Sequence, residues 1–455
     1  MLENPRDIAV WALGDRQGYV SMRLDNLLSR SGLSQQDQAL ARELALGTCR
    51  RRATLEALMR AFMQQPDKPL PGTLNEILLV AIYQMIFLDR VPDHAAVNEA
   101  VEQAIRHRHR RKSGMVNGVL RTIGRKVSQA VQGPVPLESN VIPVGPGTYR
   151  KIDRAVFPDP QKAPAAYLSA AYSLPLELIE RWIGRLGSAQ AACEIAMQAN
   201  LRAPVIMRVN RLKGDIQTAL DSLSADGVKA EAHENGQSVV LPQHRPLSSL
   251  KAFTEGLLQP QDPSATDVVP AADPKCGMKV LDFCAAPGTK TTHLAERMHN
   301  TGSITAVDTT EEKLQRIKDN CRRMGVAIVE TLLADAVGTL KPQSFDLVLA
   351  DVPCSNTGVL ARRAEARWRF DTDSLRKLAR DQQQILLAAS NFVKPGGKLV
   401  YSTCSIEPEE CEEVTRWFLA SGTGFKLLGE KITLPGGAAD PTRWHDGGYW
   451  AVLAR

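Results

Sequence analysis

The run Gly396-Gly-Lys-Leu-Val-Tyr-Ser-Thr-Cys404 joins a Gly-Gly turn to an apolar segment that ends in a cysteine. Its composition predicts a buried β-strand. The following residues, Ser405-Ile-Glu-Pro-Glu-Glu-Cys411, predict the start of a helix, because proline is accepted in a first turn and glutamates suit the positive end of a helix dipole. The positive end of a helix dipole lowers the pKa of a thiol just before it and so favours the thiolate form. The stretch therefore predicts a strand-to-helix unit with a reactive thiol at Cys404.

A second cysteine stands in the same kind of place. Phe345–Ala350 has the composition of a strand, and Asp351-Val-Pro-Cys354 follows it. Two cysteines at strand ends, one of them with an aspartate three residues before it, indicate covalent chemistry rather than packing.

From Met278 to the C-terminus, predicted strands alternate with predicted helices. The strands are Lys279–Cys284, Ser303–Val307, Ile328–Ala334, Phe345–Ala350 and Lys398–Ser402, and the helices are Thr289–Met298, Glu311–Met324, Ser374–Val393 and Glu409–Ala420. This alternation predicts a Rossmann-like α/β domain with a mostly parallel, doubly wound sheet. Ligands of such sheets bind beyond the carboxyl ends of the strands, where both cysteines are expected.

The turn after the first of these strands carries a cofactor pattern. Asp282-Phe-Cys-Ala-Ala-Pro-Gly-Thr-Lys-Thr-Thr292 has small residues that let the backbone approach a ligand, and Gly288 opens the helix. It is not a GxGxxG fingerprint, which makes a dinucleotide less suitable. Asp308, Asp335 and Asp351 follow the next strands, and an acid at the second strand end is typical of a site for ribose hydroxyls. A nucleoside-containing cofactor is therefore predicted.

The rest of the chain predicts a multidomain protein. Residues 1–132 have helical periodicity, for example in Leu74–Leu88 and Ala95–Ile105, and they carry 19 Lys and Arg against 13 Asp and Glu. Residues 133–164, with seven prolines and three glycines, are predicted to be a linker. Residues 165–262 mix helix and strand patterns and predict a small α+β subdomain of the kind that often binds RNA. Residues 263–455 form the predicted catalytic domain.

The excess positive charge of the whole chain lies in its first third, which favours contact with nucleic acid over a merely solvated surface. Two basic segments are candidate RNA contacts, Arg106-His-Arg-His-Arg-Arg-Lys112 and Arg362-Arg-Ala-Glu-Ala-Arg-Trp-Arg369. The individual candidates are Arg108, Arg110, Arg111, Lys112, Arg208, Arg362, Arg367, Trp368 and Arg369.

Composition excludes several other classes. No apolar run is long enough for a membrane span, the N-terminus lacks a signal-peptide pattern, and eight scattered cysteines predict reduced thiols in a cytoplasmic protein. Two cysteines in one cleft could also ligate zinc or form a redox disulfide. The chain has no CxxC pair, so we expect no metal site.

Three of these segments carry a family resemblance: DFCAAPGTK at 282–290, DVPCSNTGVL at 351–360 and YSTCSIEPEE at 401–410. They resemble the signature motifs of RNA cytosine-5 methyltransferases of the Nop2/Sun family. The helical N-terminus resembles the RNA-binding fold of the antitermination factor NusB. This pairing of domains is similar to the branch of the family that acts on bacterial 16S rRNA, at cytosine 967.

The resemblance implies S-adenosyl-L-methionine as cofactor. It implies a methionine-binding loop at Cys284, Ala285, Ala286, Pro287, Gly288, Thr289 and Lys290, although Thr289 stands where the family usually has glycine. Asp308 would hold the ribose, Asp335 the adenine edge, and Asp351 would face both the cofactor and the target base. Cys404 would be the nucleophile that forms a covalent bond to cytosine C6, and Cys354 would serve the release step.

Other possibilities stay open. Cys354 could be the nucleophile, as the Pro-Cys thiol is in DNA cytosine-5 methyltransferases. The substrate could be tRNA or 23S rRNA instead of 16S rRNA or a 30S assembly intermediate, and the chain could be a non-catalytic assembly factor. We expect a monomer that binds neither a membrane nor a metal ion.

Overall fold

The computed structural model describes residues 3–14, 19–241 and 246–455. The chain forms two compact units. Unit 1 consists of Met1–Leu201 together with Arg363–Arg369, and unit 2 consists of Arg202–Arg362 together with Phe370–Arg455. Within the described ranges, no helix is both long and apolar enough to cross a lipid bilayer.

Unit 1 begins with a group of helices whose apolar faces pack together. They are α1 (Pro5–Leu13), α2 (Val20–Ser29), α3 (Gln35–Phe62), α4 (Gly72–Phe87), α5 (Asp93–Arg106) and α6 (Ser113–Lys126). Helix α4 is buried along most of its length, and Arg52 of α3 donates two hydrogen bonds to Glu76 at 2.9 and 2.8 Å. The helices expected at 74–88 and 95–105 are α4 and α5.

The segment expected to be a linker is structured. It contains β2 (Val141–Gly145) and β3 (Thr148–Lys151). Together with β1 (Val131–Gln132), which directly precedes the segment, they form a small antiparallel sheet in the order β1-β3-β2. Val141, Ile142 and Phe157 are buried, and Gly147 turns the chain between β2 and β3 with φ 64°. The prolines and glycines therefore shape a hairpin whose apolar segments are too short to show periodicity.

Three further helices complete this part of unit 1, α7 (Pro164–Tyr172), α8 (Leu176–Leu186) and α9 (Ala189–Ala199). The expected α+β subdomain began at residue 165. In the structure these helices belong to unit 1, and the strands that follow belong to unit 2.

Unit 2 opens with a four-stranded antiparallel sheet in the order β5-β6-β4-β7. Its elements are β4 (Val205–Val209), α10 (Ile216–Ala225), β5 (Glu231–Ala232), β6 (Ser238–Leu241), α11 (Lys251–Thr254) and β7 (Leu258–Pro260). The core of this sheet is formed by residues such as Met207, Leu223 and Val239, all without exposed surface.

The larger sheet of unit 2 has seven strands in the order β10-β9-β8-β11-β12-β14-β13. Its elements are α12 (Pro263–Ala272), β8 (Lys279–Asp282), α13 (Thr289–Arg297), β9 (Ser303–Asp308), α14 (Glu311–Met324), β10 (Val329–Leu333), β11 (Phe345–Asp351), α15 (Thr372–Ser390), β12 (Val393–Thr403), α16 (Glu412–Ala420), β13 (Lys426–Thr433) and β14 (Gly448–Ala454). Strands β8 to β12 are parallel to one another, and β14 runs antiparallel to its neighbours β12 and β13.

Helices cover both faces of this sheet. Leu294 of α13, Leu314 of α14 and Met298, which directly follows α13, pack on one face. Leu386 of α15 and Phe418 of α16 pack on the other. The five parallel strands and their helices agree with the sequence prediction. Strands β13 and β14 were not predicted. They are antiparallel and lie outside the alternation of parallel strands and helices on which the prediction depended.

Candidate active site at the ends of β8, β11 and β12

The two cysteines at the strand ends lie side by side. Cys354 follows β11 and Cys404 follows β12, and their Sγ atoms are 3.1 Å apart. Both are free thiols. The thiol of Cys404 also donates to Asn356 Oδ1 at 3.4 Å, and Asn356 Nδ2 donates to the carbonyl of Cys354 at 2.8 Å. Asn356 therefore links the two cysteine-bearing loops.

The backbone of the two loops is tied together as well. Gly358 N donates to the carbonyl of Cys404 at 3.1 Å, and Ile406 N donates to Thr357 Oγ1 at 3.1 Å. A Cβ on Gly358 would meet the carbonyl oxygen of Cys404 at 2.7 Å, which is closer than atoms of this kind approach. Only glycine permits this close approach, so the spacing of the two thiols depends on residue 358.

The environment of Cys404 differs from the one that the sequence predicted. The pKa of its thiol is raised well above the usual value, first by the hydrogen bond to Cys354, then by burial and by the charge of Asp351, whereas Lys290 lowers it. The helix after Cys404 begins only at Glu412, preceded by a 3-10 turn at Pro408–Glu410. The expectation of a thiolate stabilised by a helix N-terminus was wrong, because the helix starts too far along the chain.

Asp351 stands between the thiols and the cofactor loop. Its Oδ1 accepts a hydrogen bond from Ser402 Oγ at 2.6 Å, and its Oδ2 pairs with Lys290 Nζ at 2.6 Å. One third of its side chain is exposed. Burial lowers the pKa of Lys290, but the charge of Asp351 and its hydrogen bond outweigh this effect and raise it, so the ammonium form is stabilised. The result is an ion pair beside the thiol of Cys404, whose pKa both charges influence.

A cavity of about 230 Å³ lies at the carboxyl end of β8. It is lined by Pro260, Gln261, Asp262, Ala265, Asp282, Cys284, Ala285, Ala286, Pro287, Thr289, Lys290 and Asp351. The loop expected to hold the methionine moiety thus forms much of its wall. Gly288 has φ 94°, and a Cβ there would also press on Ile317 at 3.2 Å. The turn therefore requires glycine.

The other two strand-end acids differ in their surroundings. Asp308, at the end of β9, accepts hydrogen bonds from Ala286 N, Thr309 N and Lys313 Nζ at 2.9, 2.7 and 2.8 Å. Burial raises its pKa, but the bond from Lys313 and the two backbone bonds outweigh burial and lower it. Asp335 follows β10 and is exposed. Neither lines the cavity itself, and Asp308 reaches it through the backbone of Ala286.

Two further carboxylates were not predicted as site residues. Asp282 lies at the end of β8 with no exposed surface, and its Oδ2 accepts from Thr291 Oγ1 at 2.6 Å. Burial raises the pKa of Asp282 to about 7. Asp262 caps α12, lines the cavity and accepts from Asp446 N at 2.9 Å. Asp282 and Thr291 both lie in the predicted cofactor turn, but the complete burial of Asp282 depends on the surrounding sheet. The role of Asp262 has no local signal, because its partner Asp446 lies 184 residues away.

The candidate RNA contact Arg362 is engaged within unit 2. It pairs with Asp446 at 2.5 Å and Asp262 at 3.1 Å, and it donates to the carbonyl of Pro204 at 2.9 Å. Its side chain is 31% exposed. These bonds fix the arginine against the residues that line the cavity.

Arg208, also a candidate RNA contact, is fully buried. It forms an ion pair with Glu296, and it donates to Gln261 Oε1 at 2.5 Å and to the carbonyl of Thr289 at 3.4 Å. A guanidinium in this position cannot reach an RNA phosphate, so the expected contact does not fit the structure.

The candidates in Arg363–Arg369 are part of unit 1. Arg367 is fully buried and donates to the carbonyls of Arg50 at 2.9 Å, Ser173 at 3.1 Å and Ala199 at 2.6 Å. Its expected RNA contact is therefore also not available. Trp368 donates to the carbonyl of Cys49 at 2.8 Å but keeps 36% of its surface exposed, and the Arg369 guanidinium lies 3.9 Å from the centre of the Tyr19 ring.

The basic segment after α5 is open to solvent. Arg108, Arg110 and Arg111 are exposed and Lys112 is partly exposed. Residues Arg110–Lys112 form a single 3-10 turn before α6. In the part of the chain that the structure describes, no group of three or more His, Cys, Asp or Glu could hold a metal ion.

Comparison with known proteins places the chain in a family. A family model described as 16S rRNA methyltransferase RsmB/F matches residues 270–439, the NusB family model matches residues 4–125, and the model of the RsmF/B-like ferredoxin-like domain matches residues 174–248. The probable ribosomal RNA small subunit methyltransferase B of Bacillus subtilis is 32% identical over 442 residues, which are 94% of this chain and 92% of the relative. The chain belongs to the RsmB/F family of 16S rRNA methyltransferases.

Solved structures agree with this assignment. The crystal structure of PH0851 has a TM-score of 0.75 and 26% sequence identity, and the match covers 99% of each chain. The structure of a methyltransferase homologue from Pyrococcus horikoshii has a TM-score of 0.54 and 28% identity, and the match covers 64% of this chain and 99% of that one. The predicted architecture, with a NusB-like N-terminal domain, a small α+β subdomain and a C-terminal Rossmann-like domain, is confirmed.

As a member of this family the protein is an RNA methyltransferase that uses S-adenosyl-L-methionine. The residues present fit that cofactor. The cavity at the end of β8 is walled by the small residues Cys284, Ala285 and Ala286, and the carboxylates of Asp262 and Asp351 at its edge can accept from an ammonium group.

Proposed function

We propose that the protein methylates C5 of one cytosine in 16S rRNA, the position equivalent to cytosine 967, through a covalent bond between Cys404 and C6 of the base. The observation that carries the proposal is the 3.1 Å contact between the sulfur atoms of Cys354 and Cys404, next to the Asp351–Lys290 ion pair.

The reaction needs a nucleophile because C5 of cytosine is too weakly nucleophilic to attack a methyl sulfonium. When Cys404 Sγ bonds to C6, the thiol proton moves to N3 of the base, and C5 becomes enamine-like. The raised pKa of Cys404 suits this step, since the thiol keeps its proton until a base is present to take it. S-adenosyl-L-methionine supplies the methyl group when it is bound.

Asp351 is the residue we assign to the polar edge of the base. Its carboxylate is fixed by Ser402 and Lys290 and is one third exposed, so that it can accept from N4 and from protonated N3. These bonds stabilise the positive charge that the ring carries after methylation.

Cys354 is the residue we assign to release. Its thiolate takes the proton from C5, the C6–S bond breaks, and the N3 proton returns to Cys404 Sγ. The C5 proton then passes to solvent and is the one proton that the net reaction releases. The short distance between the two sulfurs keeps Cys354 close to C5 while C6 is bound.

We infer that positively charged side chains of unit 1 bind the RNA. We assign phosphate contacts to Arg108, Arg110, Arg111 and Lys112, and base stacking to the exposed face of Trp368 beside Arg369. The target base must leave its stack to reach Cys404. A substrate of 16S rRNA or a 30S assembly intermediate implies action in the cytoplasm.

Two measurements test the proposal. Transfer of labelled methyl groups to 16S rRNA that lacks the modification, followed by bisulfite sequencing, is expected to show one 5-methylcytosine. Incorporation only into tRNA or 23S rRNA would change the substrate, and no incorporation would leave an RNA-binding assembly factor.

The roles of the thiols are tested on denaturing gels. Cys404→Ala is expected to form no RNA adduct, whereas Cys354→Ala forms the adduct and releases it slowly. An adduct that survives only in Cys404→Ala would make Cys354 the nucleophile.

A further inference from the structure

A buried carboxylate lies behind the two thiols. Glu410 belongs to the 3-10 turn after Cys404 and has no exposed surface. Its Oε1 accepts from Ser355 N and from Gln382 Nε2, both at 2.9 Å, and its Oε2 accepts from Ser355 Oγ at 2.5 Å. A buried carboxylate is stable only when its oxygens are hydrogen-bonded in this way. Because two of these bonds come from Ser355, Glu410 fixes the position of the residue next to Cys354.

The other side of Cys354 is held by the same group of residues. Gln382 of α15 donates to the carbonyl of Pro353 at 2.9 Å as well as to Glu410. The hydroxyl of Tyr401 on β12 lies 3.1 Å from Gln382 Oε1 and 2.6 Å from the carbonyl of Glu410. Since Tyr401 is three residues before Cys404, the network joins the strand of one cysteine to both neighbours of the other.

The loop that carries Cys354 also contacts the other cysteine directly, through Asn356. Asn356, two residues later, adopts a left-handed conformation with φ 64°, which asparagine accepts more readily than most residues. Asn356 is also the acceptor for the thiol of Cys404. In a loop released from Glu410, Asn356 and Cys354 could shift together, and the spacing of the two sulfurs would change with them.

We propose that Glu410 is a positioning residue that holds Cys354 at the distance from Cys404 which the release step requires. The inference rests on the proposed function, in which Cys354 takes the C5 proton from a base bound to Cys404. Glu410 touches neither the base nor the reacting atoms. Its carboxylate acts through Ser355 and Gln382, and a displacement of about 1 Å at a proton acceptor is enough to slow a transfer strongly.

The test separates adduct formation from adduct release. The time course of the covalent RNA complex is followed on denaturing gels for the wild type, Glu410→Ala, Glu410→Gln and Glu413→Ala, with melting temperatures measured in parallel. Glu413 is exposed on α16 and serves as the matched control. In Glu410→Ala we expect formation within about threefold of wild type and release slowed about tenfold or more, so that adduct accumulates.

Glu410→Gln should restore release to within about threefold, because its amide oxygen can accept from Ser355 N and Gln382 and its amide nitrogen can donate to Ser355 Oγ. Equal loss of formation and release in Glu410→Ala, or unchanged release, would overturn the inference.

The failure of this inference and that of the proposed function are distinguishable. If Cys354→Ala accumulates adduct and Glu410→Ala does not, only the positioning role is wrong. If Cys354→Ala and the wild type both lack a Cys404 adduct, the proposed function itself is wrong.

Discussion

Arg208 of β4 and Glu296 of α13 form an ion pair in which neither side chain is more than 2% exposed. The pair joins the four-stranded sheet to the helix that starts at the cofactor loop, and both elements belong to unit 2. Arg208 also donates to the carbonyl of Thr289, the first residue of that helix. Arg208 of the four-stranded sheet therefore stabilises the helix and the loop that lines the cavity.

Replacing Arg208 by alanine is expected to reduce the free energy of unfolding of unit 2 by about 3–5 kcal/mol, because the Glu296 carboxylate is left buried without its partner. Binding of S-adenosyl-L-methionine should weaken with it, since the loop at Thr289 loses a hydrogen bond. Denaturant unfolding and calorimetric titration of the cofactor measure the two effects.

The double variant Arg208→Met with Glu296→Leu is the control, because it removes both charges and should recover much of the stability. The salt dependence of RNA binding should stay as in the wild type. A reduced salt dependence in Arg208→Ala would mean that the side chain does reach RNA.

The raised pKa of Cys404 predicts a specific pH dependence. Alkylation by iodoacetamide proceeds through the thiolate, and the thiol holds its proton well above the usual pKa, so the rate should still be rising with pH above pH 9. Peptide mass spectrometry can follow this residue separately, with the exposed Cys276 as the internal reference.

Cys354→Ala removes the largest cause of that shift, the hydrogen bond between the two sulfurs. The alkylation curve of Cys404 should then move to lower pH and the rate at pH 8 should rise severalfold. A wild-type curve that levels off below pH 8 would show that Cys404 is already a thiolate near neutrality.

The parts of this structure that the sequence could predict are those that local patterns determine. Strands β8 to β12 and the helices between them follow from runs of apolar residues, and the acids at strand ends follow from their position after each run. The sheet at β1–β3 could not be predicted in this way, because short apolar segments among prolines and glycines look like a linker.

The site could be predicted only in part, for a related reason. The motifs identify Cys354 and Cys404, but the pKa of Cys404 depends on a sulfur that lies 50 residues away in the chain. The burial of Arg208 and Arg367 likewise depends on distant partners, so two arginines that looked like RNA contacts are structural. Glu410 lies in a stretch that was predicted to start a helix, but it is buried and accepts hydrogen bonds from Ser355 and Gln382.

The basic segment after α5 should provide phosphate contacts. The triple variant Arg110→Ala, Arg111→Ala, Lys112→Ala is expected to weaken binding of a 16S rRNA fragment about tenfold or more near 0.1 M salt. The slope of log affinity against log salt should fall in magnitude by about 2, since each phosphate contact contributes about 0.7–0.9. Fluorescence anisotropy over a potassium chloride series measures both quantities.

The matched control is a variant that loses the same number of positive charges at a different place on the surface. Alanine at the exposed cations Arg316, Lys318 and Arg322 of α14 removes the same three charges and should leave the slope nearly unchanged. Equal slopes in both triple variants would show that the effect is one of net charge and not of a docking surface.

Asp282 predicts how stability depends on pH. Burial raises the pKa of its carboxyl group to about 7 in the folded protein, whereas an unfolded chain ionises it near pH 4. Between these values the folded state binds more protons, so the contribution of Asp282 to stability is present below about pH 4 and is lost as the pH rises to 7. Above pH 7 the contribution stays constant.

In Asp282→Asn this titration is absent, and the free energy of unfolding of the variant relative to wild type should therefore rise on the order of 2–4 kcal/mol from pH 4 to pH 8. Denaturant unfolding at a series of pH values measures the difference, with Asp221→Asn on the exposed face of α10 as the control that should show no such trend. A difference between Asp282→Asn and wild type that is the same at pH 5 and pH 8 would mean that this carboxylate is ionised in the fold throughout, in spite of its burial.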